Sequence, residues 1–115
     1  MLKPEESEQI ALFDWIRLFR PDLKDFVFHI ANERKTSKQY GYKLKRMGVR
    51  SGVSDIFLAV PTKKYYGLFL ELKAGVNKPT PNQIQFMLDM RKKGYQAIWC
   101  VGFDEAKYCI EEYLE

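Results

Sequence analysis

The chain is organised around two apolar runs that a short polar turn separates. The first run covers residues 52–60 and the second covers residues 65–73, and Pro-Thr-Lys-Lys stands between them. β-Branched and aromatic residues fill both runs, which is typical of strands, and the proline-containing interruption predicts a turn. The sequence therefore predicts a β-hairpin, and the rest of the chain must fold around a sheet.

Three charged residues lie within this apolar hairpin. Asp55 is at the start of the first predicted strand, and Glu71 and Lys73 are near the end of the second. Side chains two residues apart along a strand share one face, so Glu71 and Lys73 point the same way. Antiparallel pairing brings the start of one strand beside the end of the other. We therefore expect the three side chains to converge.

Such a cluster has a defined chemistry. Two neighbouring carboxylates resist ionisation unless a cation lies between them, and their hard oxygen atoms suit Mg²⁺ or Mn²⁺. A lysine beside them can orient or deprotonate a water molecule, or stabilise the negative charge of a phosphoryl transition state. The alternative is a surface hairpin with an ordinary Glu-Lys ion pair, which is the commoner reading of an isolated Glu-x-Lys.

The pattern of Asp55 followed, after a hairpin, by Glu71-Leu72-Lys73 resembles the D…ExK signature of the PD-(D/E)xK nucleases. The flanks are similar to the virus-type replication-repair nuclease (VRR-NUC) branch over residues 43–55, 67–73 and 80–83. The similarity extends over almost the whole chain. Ser54 stands where this branch usually has proline. Since that proline shapes the backbone, the departure concerns the entry into the strand more than the metal site.

Hydrophobic periodicity and turn residues predict the remaining elements. They are a helix from Pro4 to about Phe19, a strand from Asp25 to Asn32, a helix near Ser37 to Met47, a helix from Thr80 to about Lys93, an apolar strand from Tyr95 to Val101 long enough to sit inside a sheet, and a closing helix from Phe103 to Leu114. The order α-β-α-β-β-α-β-α predicts an α/β fold with a mixed sheet flanked by helices. This matches the restriction-endonuclease-like core that the resemblance implies.

Two of the predicted helices carry apolar stripes that should face the core. Their members are Leu12, Trp15, Ile16 and Phe19 in the first helix, and Ile84, Met87, Leu88 and Arg91 in the helix after the hairpin. Glu5 and Glu8 both lie at the upper end of the first stripe. Their alternative role is to stabilise the positive end of the helix dipole while pointing into water.

The resemblance implies a metal site and names its residues. Asp55, Glu71 and the main-chain carbonyl of Leu72 would hold the cation, and Lys73 would position the attacking water. The family also places a glutamate of the first helix at the metal, followed four residues later by glutamine, and Glu5 with Gln9 has that spacing. Glu8 remains a competitor, because it lies nearer the middle of the apolar stripe.

Two further polar residues have alternative readings. Gln83 lies in the first turn of the helix after the hairpin, where the resemblance implies a residue aimed at the site; a capping or surface role is the alternative. His29 is the only histidine, which argues against the nuclease classes that bind metal through histidine. We expect it to be a packed or partly exposed strand residue.

The positive charge is concentrated in one segment. Residues 34–50 contain seven Lys or Arg and no acid, whereas the net charge of the chain is only +4. The candidate phosphate contacts are Lys35, Lys38, Lys43, Lys45, Arg46 and Arg50. Because this segment leads directly into Asp55, we predict that it binds DNA; the alternative is a solvated helix face.

Length and composition predict one domain over residues 1–115, in which 46% of residues are hydrophobic. Cys100 and Cys109 lack metal-ligand spacing, so buried thiols are expected. The sequence contains neither an apolar run of the roughly 18 residues that a membrane span needs nor a signal-peptide layout at its start. The predicted location is cytoplasmic.

Together these features predict a Mg²⁺-dependent (or Mn²⁺-dependent) DNA endonuclease. Small relatives in the resembling family look like Holliday-junction resolvases, which implies branched DNA as substrate and a homodimer. The exposed apolar surface for that dimer is expected at Tyr65-Tyr66 and from Tyr108 to Leu114. The alternatives are a monomeric nuclease for flaps or single-stranded ends and a non-catalytic DNA-binding module.

Overall fold

The elements follow one another in the predicted order in the structure, a computed structural model that describes residues 1–31 and 37–115. The helices are α1 (Pro4–Phe19), α2 (Lys38–Arg46), α3 (Pro81–Lys92) and α4 (Gly102–Leu114), and the strands are β1 (Val27–His29), β2 (Ile56–Leu58), β3 (Leu68–Lys73) and β4 (Gln96–Val101). The order α-β-α-β-β-α-β-α is therefore confirmed. The predictions for Asn32 and Lys35 lie outside the described residues.

The strands form one mixed sheet in the order β1-β2-β3-β4. β1 and β3 each pair antiparallel with β2, and β4 pairs parallel with β3. The predicted hairpin is confirmed, although its strands are shorter than the apolar runs. In the turn, the Thr62 hydroxyl accepts hydrogen bonds from the N–H groups of Lys64 and Tyr65, which replaces the strand ladder with local bonds.

Alternate residues of β3 serve the two faces of the sheet. Leu68, Leu70 and Leu72 are buried in the core beneath α1 and α4, where Leu12 and Ile110 meet them. Each such leucine contributes about 1.5–3 kcal/mol of burial free energy. The opposite face of β3 carries Phe69, Glu71 and Lys73, and there the Phe69 ring packs edge-on against Phe86 of α3, with 5.1 Å between the ring centroids.

The predicted apolar stripe of α1 is correct at Leu12, Trp15 and Ile16, which are buried, and wrong at Phe19. Phe19 is 70% exposed because α1 ends there and the chain turns away. Leu23, in the short turn that follows, is buried in the core instead.

The contact stripe predicted for α3 is correct at Met87 and wrong at Ile84 and Leu88. Phe86 and Met87 are buried, whereas Ile84 and Leu88 are exposed. The helix is rotated because the Phe86 ring packs against the Phe69 ring of β3. Arg91 lies at the edge of the sheet, where its Nε donates a hydrogen bond to the carbonyl of Ala97 at 2.8 Å.

β4 lies at the edge of the sheet, not inside it as its apolar sequence predicted. Side chains occupy part of its outer edge. The N–H of Ala97 donates to the Gln96 side chain and its carbonyl accepts from Arg91, while the N–H of Val101 donates to Glu105. These contacts protect the edge from pairing with another strand. A strand of apolar composition can therefore lie at the edge of the sheet.

Both cysteines are free thiols, as expected; Cys100 is buried and Cys109 is half-buried. Among the residues that the structure describes, no helix is long and apolar enough to cross a membrane.

Candidate functional site

Asp55 is held in place by two neighbouring strands. Its main-chain carbonyl accepts hydrogen bonds from the N–H of Ile30 at 2.7 Å and from Nδ1 of His29 at 2.8 Å, both at the end of β1. Its side-chain Oδ2 accepts from the N–H of Leu72 at 2.9 Å. The Asp55 carboxylate therefore has a fixed orientation beside β3. It lies next to the part of β3 that extends beyond the residues paired with β2.

Glu71 is the buried acid of the site. It is 2% exposed, and its Oε1 has no hydrogen-bond partner. Burial, followed by the negative charge of the nearby Asp55, raises the pKa of the Glu71 carboxyl to about 8. A buried carboxylate oxygen without a donor is costly, so the ionised form of Glu71 would favour a positively charged group beside Oε1.

Lys73 supplies only part of that charge. It lies two residues beyond Glu71 on the same face, is 8% exposed, and places Nζ 3.5 Å from Glu71 Oε2. Asp55 and Glu71 together carry two negative charges when ionised, and Lys73 offsets one of them. The remaining charge and the unpartnered Glu71 Oε1 fit a divalent cation with hard oxygen ligands.

A main-chain oxygen is available on the same side. The N–H and C=O of one strand residue point to the same edge of the strand, and the N–H of Leu72 points to Asp55. The Leu72 carbonyl therefore points to the edge of β3 beyond the end of β2. Leu72 and Asp55 both line the adjoining cavity, whereas the buried Glu71 does not.

That cavity has a volume of about 640 Å³ and lies between the start of α1 and the end of β3. Its polar walls include Glu5, Gln9, His29 and Asp55. Glu5 and Gln9 thus line the same cavity as Asp55; that Glu5 is a metal ligand, as the resemblance implies, stays a prediction. Among the described residues, no three His, Cys, Asp or Glu side chains stand close enough to hold a metal by themselves, although Glu5 and Asp55 both line the cavity.

Glu8 has a different position. Its Oε1 accepts a hydrogen bond from the N–H of Phe103 at 3.1 Å, in the first turn of α4. This contact satisfies an N–H group that the helix cannot satisfy by itself. Glu8 therefore connects α1 to α4. Of the two candidate glutamates, only Glu5 lines the cavity beside Asp55.

Gln83 caps α3. Its side-chain oxygen accepts from the N–H of Thr80 at 2.9 Å, while the Thr80 hydroxyl accepts from the N–H of Gln83 at 3.3 Å. This reciprocal capping box is the alternative role predicted for Gln83. Gln83 does not line the cavity beside Asp55.

The start of α3 nevertheless supports the loop that leads to Asp55. Asn82 donates from Nδ2 to the Ser51 hydroxyl at 3.1 Å. Gly52 has a φ of +88°, and a Cβ atom there would lie 2.5 Å from the carbonyl carbon of Asn82. Only glycine permits this approach without displacement, so the Gly52–Asn82 contact fixes how the loop enters β2.

The basic candidates in the described residues fall into two groups. Lys38, Lys43, Lys45 and Arg46 are exposed on α2, a helix in which no residue is buried. Arg50 instead forms a 2.7 Å ion pair with Asp89 of α3 and lies over the Phe86 ring. Arg50 therefore has a structural partner, whereas the α2 cations form an exposed positive surface.

His29, which the sequence predicts as a packed or partly exposed strand residue, contacts Asp55 in the structure. A main-chain carbonyl can only accept a hydrogen bond, so the contact with Asp55 places the proton on Nδ1 and leaves the lone pair of the neutral ring on Nε2. The ring also lines the cavity. His29 is the last residue of β1, and the register between β1 and β2 is what brings it beside Asp55. The sequence alone does not give that register.

The VRR-NUC domain profile matches residues 5–104. The chain belongs to the VRR-NUC domain family. The structure is also similar to a solved structure described as a VRR_NUC domain protein, with a TM-score of 0.84 and 26% sequence identity, over 98% of this chain and 89% of that chain. None of the curated proteins compared with the chain matches it.

VRR-NUC domains are nuclease-type domains, so the resemblance in the sequence is confirmed at the level of family and fold. The serine that replaces the usual VRR-NUC proline does not prevent strand entry. Ser54 is fully buried, and β2 begins two residues later at Ile56. Its Oγ is buried without a hydrogen-bond partner.

Proposed function

We propose that the protein is a divalent-metal-dependent DNA endonuclease that hydrolyses phosphodiester bonds in branched DNA. The observation that carries the proposal is the buried, unpartnered Glu71 Oε1 between Asp55 and Lys73. Within a VRR-NUC domain, such an electron-rich and water-poor position fits a catalytic cation better than a structural ion pair.

Asp55, Glu71 and the Leu72 carbonyl would hold Mg²⁺ or Mn²⁺, and Glu5, which lines the same cavity as Asp55, would complete the protein ligands. The bound cation would lower the pKa of a coordinated water and offset charge on the phosphate. Glu8 is the weaker candidate because it caps α4. Gln83 would act on the site indirectly, because its capping box with Thr80 fixes the start of α3.

The protein side chains would do the remaining work. Lys73 is held beside Glu71 with little exposure, so its ammonium group can orient the attacking water or stabilise the negative charge that develops on the phosphoryl oxygens. The Leu72 N–H keeps Asp55 from rotating away, which preserves the geometry before substrate arrives.

The exposed cations of α2 would bind the DNA backbone. Lys38, Lys43, Lys45 and Arg46 carry no described acidic partner and lie on the segment that leads to Asp55. Phosphate contacts of this kind position a substrate and contribute affinity without sequence preference. Lys35 extends the same basic run in the sequence, and Arg50 would contribute to DNA binding mainly by bracing the loop.

A Holliday-junction resolvase that works as a homodimer is the finer form of the proposal. Two sites related by a two-fold axis would cut two equivalent strands. A monomeric flap nuclease is the second candidate, and a specific observation favours it. Tyr65 stacks on Tyr113, and the Tyr113 hydroxyl donates to the Val60 carbonyl, so both rings are used inside the fold. Of the expected dimer surface, Tyr66 and Tyr108 are well exposed.

A labelled panel of duplex, flap and four-way junction tests the proposal. We expect cleavage of a branched substrate with Mg²⁺ or Mn²⁺ and none when the cations are chelated. Paired nicks in opposing strands of the junction would identify a resolvase, and cuts confined to the flap would identify the second candidate. Binding of all three DNAs without cleavage under either cation would reject a nuclease in favour of a DNA-binding module.

A further inference from the structure

The surface of α2 carries aromatic and apolar groups that the phosphate contacts do not explain. Tyr42 is 66% exposed and Met47, which follows the helix, is 70% exposed. No residue of α2 is buried, so neither side chain serves the core. An exposed aromatic ring in a helix surrounded by cations is a feature of surfaces that bind single-stranded nucleic acid.

These groups are arranged as a cleft. Tyr42, Lys43, Arg46 and Met47 line an open space of about 520 Å³. The Arg46 guanidinium carbon lies 5.9 Å from the centre of the Tyr42 ring, within range of a cation–π contact. The cleft therefore combines an aromatic face, an apolar thioether and two positive charges.

We propose that this cleft binds an unpaired nucleobase of the DNA substrate, with the base stacked on Tyr42 and its phosphate near Lys43 and Arg46. This inference rests on the proposed function and adds a subsite to it. Bases within a duplex have their faces covered by neighbouring pairs, so an aromatic ring gains little from them. A base at a branch point or single-stranded end has a free face, and stacking on an aromatic side chain stabilises it.

The position of the cleft along the chain agrees with this role. Met47 precedes Asp55 by eight residues, and a fully extended segment of that length spans at most about 30 Å. The loop is also braced on α3 through the Ser51–Asn82 hydrogen bond. A base held in the cleft thus lies within a few nucleotides of the phosphate at the candidate metal site, which would bias the enzyme toward DNA that contains unpaired nucleotides near the cut.

The test uses the full chain, a chelator to prevent cleavage, and 2-aminopurine as a fluorescent adenine analogue. The analogue is placed either in a short unpaired gap or at a paired position of the same duplex. We expect the protein to quench the unpaired probe only. Tyr42→Ala should weaken binding to the gapped DNA on the order of 10-fold, because base–aromatic stacking has that scale, and should leave the affinity for blunt duplex unchanged. Tyr42→Phe should keep wild-type affinity.

Tyr40→Ala is the matched control. Tyr40 is an exposed tyrosine of the same helix, and two residues correspond to about 200° of rotation, so it lies on nearly the opposite side from Tyr42. We expect it to bind both DNAs like the wild type. Equal losses for Tyr42→Ala on gapped and blunt DNA, or no quenching of the unpaired probe by the wild type, would overturn the subsite.

The outcomes for the subsite and for the nuclease are separate. A wild-type protein that cleaves branched DNA while Tyr42→Ala binds every probe normally would remove the base subsite alone. A wild-type protein that neither cleaves nor binds any DNA would remove the proposed function together with it. If circular dichroism shows that Tyr42→Ala has reduced helix content, the wild-type quenching and the Tyr42→Phe variant decide the question.

Discussion

The N–H of Leu72 donates a 2.9 Å hydrogen bond to the carboxylate of Asp55. Leu72 lies between Glu71 and Lys73, so the strand that presents the buried acid and the lysine also orients the second acid. Because this bond uses a main-chain group, the geometry depends on the register of the hairpin and little on the identity of residue 72. The side chain of Leu72 remains free to fill the core, where it is buried.

Removal of either carboxylate should abolish cleavage while DNA binding is retained. We expect Asp55→Asn and Glu71→Gln to lower the cleavage rate by at least about 100-fold, because each removes a proposed metal ligand. The dissociation constant for DNA, measured with the cations chelated, should stay at the wild-type value. Cleavage near the wild-type rate in either variant would exclude the site.

Lys73→Ala should give a different pattern, since the ammonium group is not a metal ligand. We expect a similarly severe decrease in cleavage together with metal affinity that changes less than in the carboxylate variants. Calorimetric titration with Mn²⁺ measures this difference. An equal decrease in metal binding in all three variants would indicate a structural ion pair, not a catalytic lysine.

The buried Glu71 should make stability fall as pH rises. Its pKa is raised from 4.5 to about 8 in the folded chain, so between these values the folded state holds a proton that the unfolded state has released. The free energy of unfolding of the metal-free protein should therefore be highest near the acidic end of this window and should decline toward pH 8. One pKa unit corresponds to about 1.4 kcal/mol, so the decline amounts to a few kcal/mol.

Urea denaturation in the presence of a chelator, at several pH values between about 5.5 and 8, measures this slope. Glu71→Gln cannot ionise and serves as the control, because it keeps the shape of the side chain. The difference between the two proteins should shrink toward the acidic end. Parallel pH profiles would show that Glu71 is ionised in the folded state throughout this range.

The close approach of Gly52 to Asn82 should make Gly52→Ala damaging. The new Cβ would lie 2.5 Å from the main chain of Asn82, at a φ of +88° that favours glycine. Gly48 is a matched control, since it has a φ of +99° and nothing within 4 Å of the added atom. We expect Gly48→Ala to cost about 1 kcal/mol from its backbone conformation alone.

Gly52→Ala should cost more stability than Gly48→Ala and should also slow cleavage, because the loop leads to Asp55, the residue just before β2. Thermal denaturation and a cleavage assay measure the two effects. Equal decreases in stability in both variants would mean that the loop yields to the added methyl group without disturbing the site.

The α2 cations should determine the salt dependence of binding. We expect the triple variant in which Lys43, Lys45 and Arg46 become glutamine to bind DNA more weakly. Its log–log salt slope should flatten by up to about 0.9 for each duplex phosphate that the variant no longer neutralises. Lys63→Gln with Lys64→Gln is the control, because these lysines lie in the turn at the other end of the hairpin. An unchanged slope in the triple variant would identify α2 as a solvated face.

The sequence predicted the hairpin, the element order and the meeting of Asp55 with Glu71 and Lys73, because strand alternation and antiparallel pairing are local rules. It did not predict how α3 would turn on the sheet, since that depends on the contact between the Phe69 and Phe86 rings. The edge position of β4 was also missed. Its apolar composition resembles that of a central strand, and its protection comes from Arg91 and Glu105, which are contributed by the two flanking helices.

The assignment of the glutamates shows the same limit. Glu5 and Glu8 are three residues apart on one helix, and both satisfy the periodicity. Only the packing of α4 against α1 gives Glu8 a partner, the N–H of Phe103, and leaves Glu5 in the cavity with Asp55. The contact of His29 with the Asp55 carbonyl was missed for a related reason, because it depends on the register between β1 and β2.

Assembly is the property that separates the two candidate nucleases. We expect a homodimer at micromolar concentration in the presence of four-way junction DNA, since symmetric cleavage needs two sites. The exposed Tyr66 and Tyr108 are the remaining aromatic members of the expected interface, so Tyr66→Ser and Tyr108→Ser should shift the particle toward monomer. Exposed Tyr40, outside that interface, supplies a control in Tyr40→Ser. Sedimentation velocity with and without the junction measures the mass. A wild-type particle that is monomeric in both conditions would reject the resolvase and leave the flap nuclease, with a single cut per binding event, as the function of the site.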